Sequence, residues 1–156
     1  MSAQAPQRGP VGRGRAFTGL VALTLALGAC SGGPASDGAA SDAFAATPFV
    51  VATSDAGKLR IEARSAPEVQ PTRGVNAVEL AITDPSGAPV DGLALDVVPW
   101  MSAMGHGASV KPTATARGQG RYVLSNVDFF MPGRWELRTT ITGPVEDHAT
   151  FIVPVS

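Results

Sequence analysis

Three of the four methionines and both tryptophans of this 156-residue chain fall in two short segments. The first is Pro99-Trp-Met-Ser-Ala-Met-Gly-His-Gly107 and the second is Phe129-Phe-Met-Pro-Gly-Arg-Trp135. Thioether sulfur is a soft donor that suits Cu(I), and imidazole serves Cu(I) and Cu(II) alike. Met101, Met104 and His106 therefore offer three donors within six residues, and Met131 offers another from the second segment. Glycines on both sides of His106 allow the backbone to bend so that the donors converge. In a regular strand, Met101 and Met104 would point to opposite faces, so shared ligation requires a turn across Ser102 to Gly105.

The same residues also fit a plainer role. Methionine beside tryptophan is common in sandwich cores, where sulfur packs on aromatic edges for about 0.3–1.5 kcal/mol. Packing is the first role expected of Met101, and core or turn support that of Met131. Met104 and His106 divide evenly between ligation and a simple turn. Trp100 and Trp135 are expected in the core, with a second role in shielding a metal from water. His148 has no methionine neighbour and is expected at the surface. A blue-copper site needs a Cys thiolate, and a zinc site needs more His or Cys than this chain has. No Gly-x-Ser-x-Gly elbow and no phosphate-binding glycine loop with lysine occur. The acid pair Glu146-Asp147 beside Gly143-Pro144 is expected in a solvated loop. An enzymatic role is not expected.

These residues need a scaffold, and the apolar period of two supplies it. Leu59, Ile61 and Ala63 alternate with charged neighbours, as do Val78, Leu80 and Ile82 with Glu79, Ala81 and Thr83. Leu93, Leu95 and Val97 continue the pattern, as do Trp135, Leu137, Thr139 and Ile141. Such runs are strands covered on one face. Phe49–Val51, Arg121–Leu124 and Phe151–Val153 are three further short strands. Turn chemistry separates them at Asp84-Pro-Ser-Gly87, Gly118-Gln-Gly120 and Gly143-Pro144. The expected fold is all-β, an immunoglobulin-like antiparallel sandwich of about seven strands over residues 48–156. At 44% hydrophobic, 16% charged, 18 Gly and 13 Pro, the chain is neither disordered nor a coiled coil. Net charge is −1 with no basic block, which argues against a nucleic-acid surface.

The first residues look like an address. Arg8, Arg13 and Arg15 precede an apolar run from Ala16 to Ala29, directly before Cys30, the single cysteine. Fourteen residues at 1.5 Å each reach roughly 21 Å, short of a hydrocarbon core about 30 Å thick, so a signal peptide fits better than a permanent span. Leu27-Gly28-Ala29-Cys30 resembles the bacterial lipobox, which implies diacylation of Cys30 and cleavage before it. An ordinary signal peptide cut near Ala29 is the alternative. Two or three acyl chains anchor stably. Ser31 rather than Asp follows the cysteine, which by family analogy favours an outer membrane where one exists. Residues 1–29 are thus expected as signal peptide and residues 30–47 as anchor and Ser/Gly/Ala-rich linker.

The two Met/Trp segments, with Pro112, Gly118–Tyr122 and Val127-Asp-Phe-Phe-Met-Pro-Gly-Arg-Trp-Glu-Leu137, resemble the YtkA-like domain, a bacterial family related to FixH-type accessory proteins. The resemblance covers about residues 57–155. It implies a β-sandwich and an extracytoplasmic location, facing the periplasm or the exterior. FixH-type relatives are associated with a membrane cation pump and oxidase assembly, which implies a theme of copper handling. This chain has a lipobox where FixH proteins have a membrane-spanning anchor. Two functions follow as expectations. One is a lipid-anchored module of the cell envelope that holds or passes copper through Met101, Met104, His106 and Met131, to or from a transporter. The other is a metal-free module that binds an envelope protein.

Overall fold

The computed structural model describes residues 44–66 and 69–156. The residues expected as signal peptide, Cys30 and most of the expected linker lie outside the described residues. Among the described residues there are nine strands: β1 Val50–Thr53, β2 Arg60–Ala66, β3 Gly74–Thr83, β4 Ala94–Met101, β5 His106–Gly107, β6 Thr113–Gly118, β7 Arg121–Phe129, β8 Gly133–Thr142 and β9 Asp147–Val155. They form two antiparallel sheets, β1-β2-β3-β7-β6 and β5-β4-β8-β9. The all-β sandwich expected from the period-two runs is what folds. Among the described residues no helix is long and apolar enough to cross a membrane.

The alternating residues meet between the sheets. Ile61, Ala63, Val78, Leu80 and Leu124 on one side face Val97, Leu137, Ile141, Phe151 and Val153 on the other, all at most 1% exposed. Tyr122 closes the core at one end. Its hydroxyl donates to Val90 O at 2.8 Å and accepts from Leu93 N at 3.1 Å, fixing the segment that crosses from one sheet to the other.

Two strands exceed the seven expected. β5 has two residues, too few for any period to show. β6 is an edge strand exposed along nearly its whole length, so it needs no apolar face. β3 also begins earlier than its alternation suggested, because a bulge between Asn76 and Val78 breaks the register against β7. The Asn76 side chain stabilises the bulge, accepting from Thr72 N and donating to Thr72 O and Gly74 O. The chain joins the sandwich before residue 48, since Ala45 N donates to Ser65 O at 3.1 Å.

Candidate metal centre

β4 carries the inward phase Val97, Pro99, Met101 to its end, so Met101 is buried at 4% exposure. Trp100 therefore faces outward. It is half-buried beneath the Arg138 guanidinium, 4.8 Å from the ring centroid, and stands outside the core expected for it. Trp135 is the core tryptophan, at 0% exposure.

Beyond Met101 the chain turns at once. Met104 N and Gly105 N both donate to Met101 O at 3.0 Å. Gly105 takes φ +69°, a left-handed conformation that a side chain would resist. β5 then returns along β4, pairing Met101 with His106 and Trp100 with Gly107. A Cβ at Gly107 would stand 2.8 Å from Pro99 O, so only glycine permits this closure. The turn that joint use of Met101 and Met104 demands is thus built into the backbone.

A second cluster braces the hairpin from the β7–β8 connection. The His106 ring stacks on Phe130 at 5.7 Å between centroids and 13° between planes. Phe130 meets the Trp135 ring edge-on at 4.9 Å, and Trp135 Nε1 donates to Met131 O at 3.0 Å. A Cβ at Gly133 would lie 3.1 Å from Met101 Cε, so the Met101 thioether packs against the start of β8. Met131 sits half-buried between these contacts. Met104 stands at the turn, 55% exposed, and His106 is exposed with Nδ1 3.4 Å from its neighbour Gly107 O.

The donors differ in access. Met104 and His106 are open, whereas Met101 lies beneath them with its sulfur in the core, as its packing role requires. Among the described residues no group of three His, Cys, Asp or Glu could hold a metal. The candidate donors are thioethers and one imidazole, ligand types that suit Cu(I) better than a hard cation. His148 lies on β9 opposite Thr140, toward the other end of β8 from Gly133, and is exposed.

Two features of this region were not readable from residue types. One is Phe130 as the platform for His106. The other is a polar clamp on the turn. Ser102 Oγ donates to Glu136 Oε1 at 2.6 Å, Arg138 Nε donates to Glu136 Oε2 at 2.9 Å, and Arg138 Nη2 reaches Ser102 Oγ at 3.3 Å. The Ser102 hydroxyl, followed by Arg138, holds the Glu136 carboxyl below its ordinary range. Outward alternation on β8 placed Glu136 and Arg138 on one face, but nothing in the sequence linked them to Ser102.

The acid pair divides, with Glu146 exposed as expected and Asp147 not. Asp147 is 7% exposed rather than solvated, and it binds the β1–β2 turn through Ala56 N at 3.0 Å. Asp147 opens β9 and accepts from the amides of Ala56 and His148, so a turn just before it in sequence does not guarantee a wet side chain.

No curated protein and no solved structure matches the chain. The family model that does match is YtkA-like, over residues 53–140, which runs from the end of β1 into β8 and takes in the whole hairpin and its brace. By that match over more than half its length, the chain belongs to the YtkA-like family.

Proposed function

We propose that this protein is a lipid-anchored, extracytoplasmic copper-binding module without catalytic activity of its own. The observation that carries it is the turn at Ser102–Gly105, which gathers Met101, Met104 and His106 into one hairpin end beside Met131. Met104 and His106 are the open ligands, Met101 supports them from below, and Met131 flanks them. Thioethers bind without losing a proton, so a neutral exposed pair exchanges metal more readily than thiolates would. That suits transfer to or from a transporter better than permanent storage.

Titration of the purified protein with Cu(I) against a competing chelator tests the metal. One-to-one binding is expected, with the Met104→Leu/His106→Ala variant losing it while keeping its fold. No competitive binding by either folded protein would reject the metal and leave the metal-free module that binds an envelope protein. The anchor has its own test. Radiolabelled palmitate should label the chain in cells, and Cys30→Ala should abolish the label and release the protein from the membrane fraction. Label that survives the substitution would reject Cys30 as the acylation site.

A further inference from the structure

The outer face of the five-stranded sheet carries a charged cavity away from the hairpin. Register sets Arg64 of β2 opposite Glu79 of β3, and Arg121 of β7 opposite Ala81, two residues along from Glu79. A glutamate on the outer face of a sheet is ordinarily wet, yet Glu79 is only 6% exposed. A buried carboxylate normally collects hydrogen bonds to replace its lost hydration. Glu79 makes none among the described residues; its carboxyl oxygens keep contact with solvent through the cavity and stand in a loose ion pair with Arg121. Arg64 turns instead to Glu62 Oε2 at 2.5 Å and to Ala46 O at 3.4 Å. Arg121 Nη2 stays 3.6 Å from Glu79 Oε1, and its guanidinium likewise makes no hydrogen bond among the described residues. A cavity of about 260 Å³ opens here, lined by Phe44, Ala45, Ala46, Arg64, Glu79 and Arg121.

We propose that this cavity binds a free α-amino acid, its ammonium against Glu79 and its carboxylate against Arg121. A simple anion would meet Arg121 but be repelled by Glu79, and a simple cation would meet the reverse. A zwitterion satisfies both, and both groups have unused hydrogen-bonding capacity. An α-amino acid carries its two charges on a single carbon, which matches protein charges only 3.6 Å apart. A peptide separates its termini and does not match them. The volume lies below the range of about 300–1,000 Å³ typical of drug-sized ligands, so a molecule of amino-acid size is the right scale. Phe44, Ala45 and Ala46 complete the lining beside the charged side chains.

The test is a ¹H–¹⁵N NMR titration of the copper-free full chain with glycine, L-alanine, acetate, methylammonium and alanyl-alanine. Glycine and L-alanine should give saturable shifts confined to β2, β3, β7 and residues 44–46. Acetate, methylammonium and the dipeptide should bind about tenfold more weakly or worse. Arg121→Gln, at a half-exposed side chain, should weaken glycine by about tenfold or more with the fold intact, as should Glu79→Gln if it folds. The Met104→Leu/His106→Ala variant should bind glycine as the wild type does. No saturable response up to about 10 mM, where even a Kd of about 1 mM would be visible, overturns the proposal. Acetate binding as tightly as glycine overturns it too, because the site would then be a plain anion pocket.

Discussion

Thr139 shows how a single side chain can sit against the grain of its surroundings. It lies on the inner face of β8 between Leu137 and Ile141, 3% exposed, and its Oγ1 has no hydrogen-bond partner among the described residues. A buried hydroxyl left unpaired costs about 1–3 kcal/mol, whereas a methyl of the same shape costs nothing to dehydrate. Thr139→Val should therefore stabilise the protein by about 1 kcal/mol, as a higher urea midpoint with an unchanged slope. A lower midpoint would mean that the hydroxyl finds a partner in solution. The alternation Trp135, Leu137, Thr139, Ile141 already placed this threonine inside. That the hydroxyl would go unpaired depends on the facing sheet, which periodicity does not describe. Trp100 marks the same boundary. Its type suggested the core, but its phase, one residue before the inward Met101, put it outside under Arg138.

The hairpin β4–β5 is held at its base by β pairing and at its turn by the Ser102–Glu136–Arg138 clamp. Ser102 opens the turn that presents Met104, so removing its hydroxyl frees this proposed ligand of the proposed copper site without touching any candidate donor atom. Ser102→Ala should lower Cu(I) affinity by about fivefold, the loss of roughly one hydrogen bond, while stoichiometry stays one-to-one. The same chelator competition measures it. Unchanged affinity would show that the two amides on Met101 O fix the turn unaided. Other elements differ in how far they were legible. β2, β4 and β8 declared themselves because one face is buried and the other at least partly wet, and β3 because Glu79 and Thr83 interrupt its apolar residues at a period of two. β6 did not, because an exposed edge strand satisfies its backbone on β7 alone and places no demand on side-chain type. The convergence of hairpin and β7–β8 loop was legible only as two similar clusters. The stacking of His106 on Phe130 that joins them is tertiary.

At the scale of the whole molecule, the two sheets are tied together far from the hairpin. β8 runs from Gly133, beside Met101, to Thr142, a distance of about 30 Å at 3.3 Å per residue. At that far end Asp147 of β9 accepts from Ala56 N in the β1–β2 turn, Asp55 N donates to His148 O at 2.8 Å, and Lys58 Nζ donates to Glu146 O at 3.0 Å. The nearby Ser54 hydroxyl, whose proton points to Leu59 O at 3.3 Å, and the amides of Ala56 and His148, which donate to Asp147 Oδ1 at 3.0 and 2.8 Å, bring the Asp147 carboxyl to about 2 from an ordinary 3.8. The folded state thus holds this proton less tightly than the unfolded chain does. Stability from Asp147 is fully present above pH 3.8 and is lost as pH falls toward about 2. Melting temperature should fall across that window in the wild type, and fall less steeply in Asp147→Asn, which starts lower because its amide cannot match the carboxylate as an acceptor. Parallel slopes in the two proteins would assign the acid sensitivity to other carboxylates. Since the two ends are separated by the length of β8, the same substitution at neutral pH should leave the Cu(I) affinity of the hairpin unchanged.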